Sequence, residues 1–409
     1  MKTVVIAGYG VEGKASYDYW RGLGCAVAIA DEKDSVSGAP GDAHLILGAT
    51  AFSDLGGFDL IVRAPSIAPS RLPYGDKVWS ATREFFATCL APIIGVTGTK
   101  GKGTTSSLIT SILRAAGKTV HLVGNIGTPA LEILPTIHPS DIVVFELSSF
   151  QLWDLQKSPH IAVVLGIEPD HLDVHSSMDD YVNAKANIAK YQRADDIIVY
   201  NQNNQLATQI AALSPAQKIA YPFVIDDMAA SLQIPGQHNV ENASAAIAAA
   251  REYVSDQETI KQGLYNFTGL PHRLKFVAEK NGVKYYDDSI ATTPGSAIAA
   301  MQSFDTPKVL LLGGSDKGAE YDEVVAVAKQ TGTKVLAIGQ TGQRIYELAQ
   351  ASGVTAEREE GGMPEVVAHA ARMAPPDSVV MLSPASASFD QYKSYSDRGD
   401  QFIAAVEGL

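Results

Sequence analysis

Cysteine is nearly absent from this chain: Cys25 and Cys89 are the two among 409 residues, and they lack metal-ligand spacing. That excludes a disulfide framework and a cysteine-based zinc module, and it suits a reducing compartment. Basic charge is also short, with 32 Lys and Arg against 45 Asp and Glu, a formal charge of −13 and a pI near 5.1. Such a balance repels phosphate polymers and anionic lipid, so neither nucleic-acid binding nor membrane-surface binding is expected. Long apolar runs are missing as well. Stretches such as residues 161–165 are strand-sized, far below the roughly 20 residues of a membrane span. The opening MKTVVIAGYG is strand-like and lacks a signal-peptide cleavage region. With no fixed-period repeat a solenoid is excluded. A cytoplasmic protein of two to four domains is expected, at roughly 100–200 residues per domain.

What is present is an alternation of Val/Ile-rich bursts, glycine turns and helix-like patterns, the sign of parallel sheets covered by helices. Three bursts, residues 3–8, 92–98 and 308–314, each run into glycine and read as opening strands of separate units. The stretch FTGLPHR, residues 267–273, reads as a linker, and a second boundary falls near Leu90. Units of 1–90, 91–269 and 270–409 follow, giving an α/β protein with a Rossmann-like first domain, a P-loop-type central domain and a Rossmann-like third.

The segment IIGVTGTKGKGTTSSLI reads as strand, glycine turn and helix. Gly98 and Gly101 let backbone N–H groups face an anion, the helix start adds positive dipole, and Lys102 supplies a full charge for β/γ-phosphates. Thr104 and Thr105 offer hydroxyls to a phosphate-bound Mg²⁺. The spacing is not that of the standard Walker A motif, whose first glycine would fall at Val96. Gly8, Gly10 and Gly13 follow the first strand, with Asp31 after the next apolar run, as in a dinucleotide fingerprint. The same glycines also suit plain strand–helix packing, and Glu12 inside the turn repels a diphosphate unless it points away.

Further motifs extend along nearly the whole chain: GTKGKGTT, GNIGTP, ELSSFQL, DHLDVH, PGQHNVEN, GLPHR, DDSIAT, GGSDKG and SPASASFDQYKSYSDRG. By these the sequence resembles the Mur ligase family, and ELSSFQL with the SPASASFDQ tail point within it to the branch that adds D-glutamate. The resemblance implies ATP-dependent amide ligation of D-glutamate to UDP-N-acetylmuramoyl-L-alanine in peptidoglycan precursor synthesis, by a monomer. The three domains would bind the UDP end of the donor, ATP and D-glutamate in turn.

Glu146, at the end of an apolar strand, suits Mg²⁺ held through oxygen. His171 and His175 would form part of a zinc-like pair if helical, but Asp170, Asp173 and the phosphate loop favour a hard, oxygen-rich environment; His175 reads as a surface residue. By resemblance Lys185 is carbamylated and joins Thr104, Glu146 and His171 around two Mg²⁺ ions, with Lys102, Glu146, His171 and Lys185 as the catalytic set. The ATP site takes residues 98–105, namely Gly98, Thr99, Lys100, Gly101, Lys102, Gly103, Thr104 and Thr105, together with Asn239, Asn242, Arg273 and Asp288. The UDP-substrate site takes Gly10, Val11, Glu12, Asp31, Glu32, Ser66, Asn125 and His171, and the D-glutamate site Thr292, Lys317, Ser388, Phe389 and Tyr395. Because the ATP set straddles FTGLPHR, closure of the third unit on the second is expected. Lys100, Gly103, Ser66, Ile290 and Tyr395 depart from the common family pattern, and Thr104 still offers a hydroxyl beside Gly103. The competing readings are a folylpolyglutamate-type ligase, which needs no UDP domain, a dinucleotide-dependent oxidoreductase read from GYGVEGK alone, and a non-catalytic nucleotide-binding module.

Overall fold

The computed structural model describes residues 1–409, the Asp226 side chain excepted. The chain is an α/β protein built on three sheets. In chain order the strands are β1 (Thr3–Ala7), β2 (Ala26–Asp31), β3 (His44–Leu47), β4 (Leu60–Arg63) and β5 (Val78–Ser80), then β6 (Ile93–Thr97), β7 (Val120–Gly124), β8 (Ile142–Glu146), β9 (Ile161–Val164), β10 (Ile197–Asn201) and β11 (Gln217–Tyr221). The last group is β12 (Lys275–Lys280), β13 (Val283–Asp287), β14 (Lys308–Leu312), β15 (Lys334–Ile338), β16 (Ala356–Glu359) and β17 (Ser378–Leu382).

The first sheet, ordered β3-β2-β1-β4-β5, is wholly parallel. So is the second, β11-β10-β9-β6-β8-β7. The third, β12-β13-β17-β14-β15-β16, is parallel except for the edge strand β12. Val and Ile dominate these strands because both sheet faces are covered by helices. In the third sheet Leu310 and Leu312 enter one core, while Val309 and Leu311 enter the core on the opposite face. In the first sheet Val5 and Val4 divide in the same way.

Contacts group the chain into two compact units, Met1–Ala230 with Glu241–Leu264, and Ser231–Val240 with Tyr265–Leu409. The first carries two sheets and the second carries one. In the central sheet β6 lies between β8 and β9, so the chain leaves β6 toward one edge and later returns to build the other. That strand order opens a crevice at the carboxyl ends of β6, β8 and β9, where such sheets bind ligands. Among the described residues no helix is long and apolar enough to cross a membrane.

Candidate functional site

The crevice is lined first by the turn after β6. Gly98 and Gly101 adopt φ of +153° and +82°, a region that side chains with a Cβ rarely enter. A Cβ on Gly98 would lie 2.6 Å from the Leu165 Cβ, and one on Gly101 would overlap the Asn242 carboxamide oxygen. Lys102 opens the helix Lys102–Ala115, and its Nζ donates back to the Gly98 and Thr99 carbonyls at 3.1 and 2.9 Å. Gly103, Thr104 and Thr105 are buried in the first turn, and Thr105 Oγ1 donates to Asn242 Oδ1 at 3.3 Å. Thr99 fixes the turn to the segment after β9. Its N–H donates to the Gly166 carbonyl at 2.8 Å, its hydroxyl donates to the Glu168 carbonyl at 3.0 Å, and it lies 3.0 Å from the Tyr181 hydroxyl. Lys100 pairs with Glu168 at the surface, at 3.2 Å.

Lys185 reaches the same turn from the helix Met178–Lys190. Its side chain is buried, its Nζ donates to the Gly98 carbonyl at 2.9 Å and to Thr97 Oγ1 at 3.5 Å, and it lies 4.6 Å from the Tyr181 ring centre. Lys102 and Lys185 thus share one carbonyl. Burial, reinforced by the Lys102 charge, holds the Lys185 amine well below the ordinary lysine range, against the opposing pull of Asp170 and Glu146. Glu146 ends β8 at 3% exposure, and Asn125 Nδ2 donates to its Oε1 at 3.2 Å.

His171 follows β9 on a segment that is not helical, with φ of +54°, so the zinc-like helical pair does not form. Its imidazole is exposed, and its ring centre lies 5.0 Å from that of Phe150. His175 is not a surface residue: it is 2% exposed, with Nε2 2.9 Å from Ser149 Oγ and Nδ1 3.2 Å from Asp180 Oδ2. Sequence periodicity could not show this, because the aromatic box around it is assembled from two helices and a turn.

On the first sheet Gly8 donates to the Ala30 carbonyl at 2.8 Å, and a Cβ on Gly13 would overlap the Gly8 carbonyl oxygen. Gly13 therefore serves close strand–helix packing. Asp31 accepts from the Tyr9 and Lys33 N–H groups at 2.9 and 3.0 Å, which secures the glycine turn. Gly10 and Val11 are exposed at the start of the helix Val11–Gly22. Glu12 turns toward Gln151, whose Nε2 donates to Oε1 at 2.7 Å; burial raises its pKa, against Gln151 and the Arg63 charge. Glu32 pairs with Arg71, and Ser66 is exposed in a turn closed by Ile67 N–H on the Ala64 carbonyl at 3.0 Å.

In the second compact unit Lys317 Nζ lies 5.2 Å from the Phe389 ring centre. Ser388 is buried beside exposed Phe389, Thr292 is exposed, and Tyr395 opens the helix Tyr395–Glu407 with its carbonyl accepting from Ser289 Oγ at 2.8 Å. Buried Arg398 pins this loop by donating to the Ser386 and Ala387 carbonyls at 3.1 and 3.2 Å. Asn239 Nδ2 donates to the Pro235 carbonyl at 2.6 Å, and Asn239 and Asn242 group with different units. Arg273 is exposed.

Asp288 is buried, accepting from Leu274 N–H at 3.0 Å and Ser383 Oγ at 2.6 Å. Burial lifts its pKa to about 7, whereas an unfolded aspartate titrates near 3.9. The folded chain then holds the extra proton between those values, so this group's stabilisation is complete below pH ~4 and is lost as pH rises through ~7. Over that window the wild-type unfolding free energy, taken relative to Asp288→Asn, is expected to fall by on the order of 2–4 kcal/mol. Denaturant titrations at pH 4.5 and 7.5 check this, and a pH-independent difference contradicts it.

Among the described residues no three His, Cys, Asp or Glu side chains gather as a metal cage. The Glu146 carboxylate and Thr104 hydroxyl are nevertheless the hard oxygen donors that Mg²⁺ takes alongside phosphate oxygens and water. The glycine turn, which a Cβ would fill, fits the phosphates themselves.

Residues 96–226 match the Mur ligase middle domain, and residues 272–386 match the family of Mur ligase glutamate ligase domains. The UDP-N-acetylmuramoylalanine–D-glutamate ligase of Acetivibrio thermocellus is 36% identical, over 100% of this chain and 97% of the relative. The chain belongs to the Mur ligase family. The enzyme of the same name from Symbiobacterium thermophilum is likewise 36% identical, over 89% of this chain and 87% of its own. Among solved structures, UDP-N-acetylmuramate-alanine ligase of Thermotoga maritima aligns with a TM-score of 0.60 at 16% identity, over 100% and 99% of the two chains. MurF of Acinetobacter baumannii aligns at 0.61 and 19%, over 90% and 84%. These two likenesses concern the fold alone.

In this Mur ligase the sequence reading assigned no role to Tyr181, Thr97, Ser149 or Gln151, although the last two stand inside ELSSFQL. The Ser149 side chain faces buried His175 and that of Gln151 faces Glu12 beside the first sheet's glycine turn, partners far apart in sequence.

Proposed function

We propose that this Mur ligase joins D-glutamate to UDP-N-acetylmuramoyl-L-alanine, with cleavage of ATP to ADP and phosphate, in the cytoplasm and as a monomer. The observation that carries the reading is the convergence of Lys102 and buried Lys185 on the Gly98 carbonyl, at the crevice that Glu146 also borders. Full-length identity to ligases of that name supports the choice of substrates. Residues 1–90 would hold the UDP end of the donor, 91–269 ATP, and 270–409 D-glutamate.

A carboxylate is a poor acyl donor. Transfer of the γ-phosphoryl group to the alanine carboxylate oxygen gives an acyl phosphate and ADP. The D-glutamate nitrogen then attacks the carbonyl carbon, loses a proton, and phosphate leaves as the amide forms. Lys102, the N–H groups of the glycine turn and the helix start would offset charge on the phosphoryl oxygens. Mg²⁺, when held by Thr104, Glu146, His171 and a Lys185 carbamate, supplies further charge neutralisation there. Asn239, Asn242, Arg273 and Asp288 would complete the ATP site; Lys317 would pair with an acceptor carboxylate, beside Thr292, Ser388, Phe389 and Tyr395.

The test is ADP release with the UDP donor and either enantiomer of glutamate, and with a folate plus L-glutamate. D-Glutamate should support turnover at least about 100-fold above L-glutamate, since inversion leaves a carboxylate or the amine without its partner. Equal rates with both enantiomers, or turnover with the folate, would overturn the assignment.

A further inference from the structure

We propose that His175 is a positioning residue for His171, acting through the Phe150 ring and the main chain between the two histidines. The proposal rests on the reading of His171 as a contact to Mg²⁺ and the donor. Asp170 holds His171 from one side, with Oδ1 accepting the His171 N–H at 3.0 Å and Oδ2 3.5 Å from Nε2, but that carboxylate is itself partly exposed. The His171 backbone is left-handed, its ring is exposed, and its aromatic neighbour is Phe150. His175 supplies the missing rigidity. Its ring lies parallel to Phe150, 5.4 Å between centres at 8°, and its N–H donates to the His171 carbonyl at 2.9 Å.

His175 is itself fixed on every side. Trp153 lies 4.4 Å from its ring and Tyr181 meets it edge-on at 5.2 Å. Nε2 engages Ser149 Oγ, and Nδ1 engages Asp180, whose carboxylate also accepts from Trp153 Nε1 at 3.2 Å and Ser176 N–H at 3.1 Å. Three segments therefore meet at one imidazole: the short helix Ser149–Leu152 just after Glu146, the turn bearing His171, and the start of the helix that carries Lys185. The Ser149–His175–Asp180 line has the look of a hydrolytic triad, but Ser149 is 2% exposed and His175 is enclosed by rings, so no acyl group reaches the hydroxyl. Positioning is the role left for it. An aromatic clamp of this kind acts on a single preferred pose, and misplacement of a reacting contact by an ångström is costly.

The experiment is a double-mutant cycle on the full-length enzyme with His171→Ala, His175→Phe and the pair, reading kcat/KM for the donor and KM for D-glutamate. His175→Phe keeps an aromatic ring and removes both hydrogen bonds. It should lower donor kcat/KM by about 10-fold or more while KM for D-glutamate stays within about twofold, and in the His171→Ala background it should cost less than about twofold. Losses that multiply in the double variant, or an unchanged donor kcat/KM in folded His175→Phe, overturn the proposal. His171→Ala with wild-type kinetics overturns the reading of His171, and the proposal with it. Should His175→Phe fail to fold by thermal melting, Ser149→Ala, which removes only the Nε2 partner, enters the same cycle with the same expected pattern at smaller amplitude.

Discussion

Lys185→Ala is expected to lower kcat by about two to three orders of magnitude while leaving a folded protein. Nζ of Lys185 donates to two acceptors, the Gly98 carbonyl and Thr97 Oγ1, at a buried position beside another lysine. An ammonium placed there is held by neutral dipoles in low dielectric, which disfavours the charged form. The neutral amine is also the form that attacks CO₂: nitrogen bonds to the carbon, loses a proton, and an anionic carbamate results. That anion would offer oxygen ligands to Mg²⁺ where a cation would repel it. Acetate at high concentration should restore part of the activity of Lys185→Ala, and methylamine should not. Rescue by methylamine instead would assign the role to a cation. Near-normal turnover of the variant would remove Lys185 from the machinery altogether. In the wild type, ¹³C-bicarbonate should give a carbamate resonance that the variant lacks.

The phosphate turn was legible in the sequence because its information is local. A strand, two glycines that must take positive φ and a lysine at the helix start stand within ten residues, and the structure keeps them in that order. The three sheets were legible for a similar reason, since Val/Ile bursts covered on both faces need no alternation. Lys185 was not legible from its own surroundings, because a lysine between alanines on a helix looks solvated until tertiary packing buries it. Resemblance alone singled it out. His175 shows the opposite failure. An i, i+4 pair of histidines invites a helix, whereas His171 takes a left-handed backbone and His175 turns inward among Phe150, Trp153 and Tyr181. Glu12 illustrates a third limit: the sequence places a carboxylate in a glycine turn, and only the fold supplies the Gln151 amide that receives it.

Arg63→Met is expected to destabilise the first compact unit by about 3–5 kcal/mol, the range for breaking a buried ion pair from one side. Arg63 ends β4 with its side chain fully buried, and its guanidinium grips Asp154 at two points, Nε to Oδ2 at 2.9 Å and Nη2 to Oδ1 at 2.6 Å. It also donates to the Phe150 carbonyl at 2.9 Å and the Ile67 carbonyl at 3.3 Å. Removing the cation leaves a carboxylate and three carbonyls, that of Pro65 at 3.5 Å included, without that donor, whereas Arg63→Met with Asp154→Leu removes both charges together. The pair should therefore be less destabilised than Arg63→Met alone. Urea unfolding followed by tryptophan fluorescence reads the relevant part of the molecule, since Trp20, Trp79 and Trp153 all lie within Met1–Ala230. A single-variant loss below about 1 kcal/mol would mean that water reaches the pair and screens it as at a surface. Because Arg63 holds the main chain of Phe150, whose ring meets His171, the variant should also lose donor kcat/KM under conditions where it is still folded, with KM for D-glutamate little changed.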